Sequence, residues 1–131
     1  MNMTNINTSQ TLIMRYRMSE RDAHYGGGLV NGARSLLYMN DVAARFMTKL
    51  FNNRGRCTAM DICRFYAPVF AGDYLEFQAR IVKQEGKKVT FEIRSFKIAY
   101  VPEERVFDST IDVFADPPMS AMAVYEYESR F

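Results

Sequence analysis

The chain has 131 residues, of which 48% are hydrophobic and 24% charged. That composition excludes a disordered or fibrous protein and suits one domain of ordinary size, spanning 1–131 with 1–10 as a loose tail. The net charge of +2, with Lys and Arg scattered among acids, leaves no basic stripe for nucleic acid. No apolar run reaches the roughly 18–20 residues of a membrane helix, and Met1 to Gln10 lacks a signal peptide's charged and apolar parts, so no membrane role and a cytoplasmic location are expected.

In chain order, Thr11 to Met18 alternates and carries aromatic and branched residues, which predicts a first strand. Ser19 to Gly28 breaks that pattern and ends in Gly26-Gly27-Gly28, where the backbone can take positive φ or approach a ligand closely. From Asn31 the period becomes helical. Ala33, Leu36, Leu37, Ala43, Ala44, Met47, Leu50 and Phe51 fall on one face, with Arg34, Asp41, Arg45 and Lys49 opposite. Asn31 is suited to cap the helix start, and Asn52, Asn53 and Gly55 to stop it. Strands are then predicted over Arg56 to Tyr66, Asp73 to Gln84, Lys87 to Tyr100 and Ala121 to Arg130, with a turn at Glu85-Gly86 and a short strand within Val106 to Phe114.

The order strand, long helix, then four or five strands is an α+β arrangement with the helix against one sheet face. A helix apolar over more than half its circumference implies a sheet that wraps it. Cys57 and Cys63, six apart in one predicted strand, point to one face about 20 Å apart and cannot pair. With one histidine and no Cys-x-x-Cys, no metal site is expected.

The segment from Phe65 to Leu75, with its Pro68-x-x-x-Gly72-Asp73 turn, resembles the hotdog-fold superfamily of acyl-coenzyme A thioesterases and dehydratases. The stretch from Met18 to Arg34, containing Asp22-Ala23-His24-Tyr25-Gly26-Gly27-Gly28, is similar to the β-aminoacyl-CoA ammonia lyases, which include 3-aminobutyryl-CoA and β-alanyl-CoA ammonia lyases. The resemblance implies one long central helix wrapped by an antiparallel sheet of about five strands. It also implies a site between subunits, a homodimer at minimum, and a hexamer built as a trimer of dimers. The implied substrates are a CoA thioester and ammonia, with no cofactor beyond the CoA of the substrate. Related thioesterases carry a water-activating Asp where this chain has Gly28, which argues for the lyase over hydrolysis.

Removing ammonia from a 3-aminoacyl-CoA requires a base for the α-proton, donors for the enolate oxygen and a proton route to the amine. The candidates for the thioester oxygen are the N–H groups of Gly27, Gly28 and Leu29 running into the Asn31 cap; the alternative is a plain tight turn. His24 suits proton transfer near neutral pH, and Asp22 suits orienting it or holding the ammonium; a structural histidine and a turn cap are the alternatives. Tyr25 is either a pocket residue facing the ammonium or interface packing. Asp41 is a helix carboxylate that serves as base or pairs with Arg45 at i,i+4, and Glu126 and Glu128 are reserve carboxylates. Lys87, Lys88, Arg94 and Lys97 are the cluster expected to meet the CoA phosphates, or else a solvated sheet face. A hotdog thioesterase using Asp41, or a noncatalytic acyl-CoA-binding module, are the competing readings.

Overall fold

The computed structural model describes residues 9–23, 25–104, 106–107 and 109–131. Its long helix, α1 (Gly32–Phe51), starts where the Asn31 side chain accepts a hydrogen bond from the Ala33 amide at 3.0 Å and stops where Asn52 turns left-handed (φ 60°). Both ends are set by local chemistry, which is why they were readable. At twenty residues the helix is about 30 Å long. Its buried stripe is Ser35, Met39, Val42, Ala43, Phe46 and Met47. This stripe is rotated from the predicted face, and Leu37, expected inward, is 56% exposed.

The strands are β1 (Thr11–Arg17), β2 (Leu29–Val30), β3 (Arg56–Phe65), β4 (Val69–Phe70), β5 (Tyr74–Glu85), β6 (Lys88–Tyr100), β7 (Asp112–Val113) and β8 (Met119–Glu128). The main antiparallel sheet runs β1-β5-β6-β8-β3, with β7 alongside the end of β6. The predicted strand within Val106 to Phe114 is thus only the two-residue β7. The two-residue pair β2–β4 was not foreseen, because elements this short have no period to read.

Alternate residues of the central strands face the helix: Leu75, Phe77, Ala79 and Ile81 on β5, Val89, Phe91 and Ile93 on β6, and Ala121, Ala123, Tyr125 and Tyr127 on β8. Against them sits Phe46, whose ring lies 5.0 Å from that of Phe91. Each buried large side chain of this kind contributes about 1.5–3 kcal/mol. The sheet curves around the helix, which is the hotdog arrangement.

Four tyrosine hydroxyls tie the helix into that groove. Tyr125 donates to the Leu36 carbonyl at 3.2 Å, and Tyr127 to Oδ1 of Asn40 at 2.6 Å. From the other side Tyr16 donates to Asp41 at 2.6 Å and Tyr38, on the helix itself, to Asp22 at 3.0 Å. Burying a hydroxyl without a partner is costly, so these bonds fix the helix's rotation and its height along the sheet.

At the far edge, β3 is exposed on both faces, and Met60, Ile62, Phe65 and the following Tyr66 are all open to solvent. Its pairing with β8 slips at two places, between Cys57 and Ala59 and between Met60 and Cys63. Each slip inserts one residue, so β3 is doubly bulged. Cys57 and Cys63 nevertheless align with Tyr127 and Ala123, alternate residues on one face of β8, and both are free thiols.

Two predictions follow from this packing. Gly55 has φ +63°, and a Cβ there would lie 2.7 Å from the Glu128 carbonyl oxygen, so Gly55→Ala should cost about 2 kcal/mol or more in urea unfolding. Burial is the main cause that pushes the Tyr125 and Tyr127 hydroxyls far above their ordinary range. The unfolded chain ionises these groups near about pH 10 while the folded chain keeps the protons. Stability should therefore be fully present below about pH 10 and fall as pH rises beyond it, and Tyr127→Phe should flatten that decline in urea midpoints measured from pH 9 to 11.

Candidate functional site

The chain enters α1 through β2, which pairs with β4 so that Leu29 faces Phe70 and Val30 faces Val69. This clamps the helix start onto the segment that leaves β3, and a cavity of about 450 Å³ opens between them. Its walls are Val30 to Ala33 and Ser35 from the helix entry, Phe65 to Val69, and Ser120 with Ala121 from β8. Gly32 makes the junction possible. A Cβ on it would stand 2.6 Å from the Phe65 ring, so a larger residue would push that ring off the helix start.

First-turn amides of a helix have no intrahelical acceptor. Here Ala33 N–H is satisfied by the Asn31 side chain and Arg34 N–H by the Asn31 carbonyl at 2.9 Å, which leaves Gly32 N–H at the positive end of the helix dipole. Asn31 spends its other side-chain atom on Tyr25, donating to the phenol oxygen at 3.1 Å. Tyr25 itself is 55% exposed.

Asp22 is buried and does not face this cavity. Its carboxylate accepts from the Ser19 amide at 2.8 Å and from Tyr38, and pairs with Arg34 at 3.3 Å. It closes a capping box on the turn Glu20–Asp22 and fastens that turn to α1, the capping alternative with two helix contacts added. His24 lies outside the described residues.

Gly27 and Gly28 take φ of +75° and +78°, conformations that favour glycine. Gly28 accepts from the Ala71 amide at 2.8 Å, and both glycines line a depression of about 550 Å³ with Arg17, Gly72 and Thr110. The predicted donor set therefore divides, with Asn31 in the helix-start cavity, Gly27 and Gly28 on another surface, and Leu29 in the strand between.

Asp41 lies ten residues beyond the cap, about 15 Å along the axis, in a separate groove with Asn40, Cys57 and Tyr127. It is half-exposed and pairs with Arg45 at 3.6 Å. The Tyr16 hydroxyl that donates to it is raised, first by burial and next by this bond. Glu128 pairs with Arg56 and Lys88, while Glu126 accepts from Thr58 at 2.6 Å.

The expected cluster of four cations does not form. Lys87 is in the β5–β6 turn and Lys88 reaches Glu128 at 3.9 Å. Arg94 pairs with Glu92 at 2.8 Å, in a shallow site with Thr11 and Gln78. Lys97 is nine residues from Lys88, about 30 Å along the strand. A side chain in an extended strand inherits the strand's length, so nearness in sequence did not become nearness in space. Lys97 is instead enclosed: its amine meets Asp73 at 3.1 Å and the Pro68 carbonyl at 3.0 Å, 5.5 Å from the Phe70 ring centre. It borders a cavity of about 420 Å³ shared with Gly27 and Tyr100. The pairing with Asp73 joins residues 24 apart in the chain, and no local pattern announced it.

The Thioesterase superfamily profile matches residues 27–98, more than half of the chain. A 3-aminobutyryl-CoA ammonia lyase from Acetoanaerobium sticklandii is 42% identical over 107 residues, covering 80% of this chain and 82% of that protein. Among solved structures, the β-alanyl-CoA:ammonia lyase of Clostridium propionicum superposes with a TM-score of 0.84 at 26% identity, over 92% of this chain and 85% of that one. A hexameric thioesterase from Yersinia pestis shares the fold at 18% identity, with a TM-score of 0.71 over 90% of this chain and 85% of its own. The chain belongs to the thioesterase superfamily and, within it, to the family of the Acetoanaerobium sticklandii relative.

Proposed function

We propose that this chain is an acyl-CoA ammonia lyase that interconverts a short 3-aminoacyl-CoA, of the 3-aminobutyryl or β-alanyl type, with the 2-enoyl-CoA and ammonia. The observation that carries the reading is the 42% identity to a 3-aminobutyryl-CoA ammonia lyase across 80% of the chain, a span too long to reflect the fold alone.

The geometry supports a division of labour. The thioester lies at the start of α1, where Gly32 N–H and the helix dipole stabilise the enolate oxygen. Gly27, Gly28 and Leu29 hold the backbone that enters this turn. In elimination a base removes the α-proton, the C–N bond breaks, and the amine leaves with a proton as ammonia. Among the described residues no Asp, Glu, Lys or Arg lines the helix-start cavity, which favours a base presented from outside this set. Asp41, half-exposed and about 15 Å along the helix, fits that role when presented by a second subunit, and His24 suits the proton transfer. Lys97, held by Asp73 and the Pro68 carbonyl at the edge of its own cavity, braces the wall of that cavity, and the CoA phosphates are met by cations at the surface.

A homodimer at minimum, assembling as a trimer of dimers, accords with the apolar, unpaired β3 edge. The substrate is a CoA thioester, and no further cofactor takes part.

A hydrolytic reading lacks the Asp at Gly28 but retains Asp41. Crotonyl-CoA or acryloyl-CoA incubated with ammonium should lose enoyl absorbance, with no thiol released from butyryl-CoA. Asp41→Asn should slow ammonia addition about 100-fold or more. Thiol release from butyryl-CoA that disappears in Asp41→Asn, without enoyl loss, would replace the lyase by a thioesterase.

A further inference from the structure

Ser35 is the polar residue at the N-terminal end of an otherwise apolar buried stripe. It is 3% exposed, one turn into α1, and lines the helix-start cavity. Its hydroxyl makes no hydrogen bond among the described residues, although every sealed side-chain oxygen and nitrogen among them has a partner. The Ser35 oxygen is therefore unsealed, and the space it opens to is the cavity. Because Cα–Cβ bonds tilt toward the helix N-terminus, it leans back toward Gly32.

The other polar side chains of that wall are occupied or outside. Asn31 is committed at both its oxygen and its nitrogen. Ser120 is closed with Ser95, oxygen to oxygen at 2.6 Å, and donates to the Ser95 carbonyl. Tyr66 is 54% exposed at the rim. Among the described residues the cavity thus offers a substrate one buried, open hydroxyl in a lining that holds no charge.

Resting on the lyase reading, we propose that Ser35 is a specificity-determining residue that receives the nitrogen on carbon 3 of the acyl group. An uncharged wall disfavours a buried ammonium and suits the neutral amine or ammonia. Ser35 Oγ accepts one N–H of the amine in the elimination direction and of the incoming ammonia in the addition direction, where the ammonia lone pair stays free to form the bond to carbon 3. The rise from Gly32 to Ser35 is about 4.5 Å, a separation matching that between a thioester oxygen and a substituent on carbon 3. An acyl chain without that nitrogen gains nothing from Ser35.

The test uses CoA analogues in which an amide replaces the thioester, so that the α-proton is too weakly acidic for elimination. The Kd of the 3-aminobutyryl amide and of the butyryl amide are measured by calorimetry on the full-length wild type, Ser35→Ala and Ser35→Thr. Alanine suits a helix, and thermal melts confirm the fold. Ser35→Ala should weaken the amino analogue about tenfold and change the butyryl analogue less than twofold, with Ser35→Thr retaining most of the preference. Equal losses for both analogues, or none for either, would overturn the proposal. The lyase reading fails separately: a wild type that prefers the amino analogue through Ser35, yet adds no ammonia to crotonyl-CoA, would refute the reaction and uphold the binding role.

Discussion

The Tyr127 hydroxyl, 2.6 Å from Asn40, and the Tyr125 hydroxyl, on the Leu36 carbonyl, set where the helix lies in the sheet. Apolar packing alone holds a helix in a groove without fixing its rotation, since burial is not directional. A hydroxyl that must find one carbonyl or amide oxygen is directional. With Tyr16 and Tyr38 acting from the opposite side, rotation and height are both determined. Gly32 then falls under Phe65, Asn31 meets Tyr25, and Ser35 reaches the cavity. The site is a by-product of how the helix is tied down.

The same ties explain why the carboxylates are so differently employed. Asp22 is enclosed by Ser19, Tyr38 and Arg34 and is spent on structure. Asp41 keeps a half-open face with one phenol and one guanidinium against it. Asp73 is buried with the amine of Lys97 and accepts from the Phe70 amide at 2.8 Å, which stiffens the turn opposite Gly27 and Gly28. Three aspartates of one chain are thus a staple, a half-open carboxylate and a brace, and their surroundings make the difference.

What could be read from the sequence followed the range of the interaction. Asn31 as cap, Asn52 as stop, and the alternation of Leu75, Phe77, Ala79 and Ile81 depend on neighbours a few residues away, and the pattern displays them. Asp22 with Tyr38, sixteen residues on, and Lys97 with Asp73 depend on the fold and left no local sign. Leu37 was expected inward because it is apolar, yet the tyrosines rotate the helix so that Met39 and Phe46 take that place. Ser35 carried a signal that was not used, being a polar residue in line with Met39, Val42 and Phe46 along one helix face.

The two bulges of β3 have a consequence for how copies of this chain can meet. An apolar sheet edge with free backbone groups is a template on which further strands add without limit. Thr58 and the residues between Met60 and Cys63 break the regular spacing of those groups and increase the local twist. A visiting strand of plain register finds its bonds out of step after a few residues, whereas a partner carrying the same interruptions in mirror order can match them. The irregularity works as a stop on the edge, interrupting the regular template that an open-ended stack of strands requires.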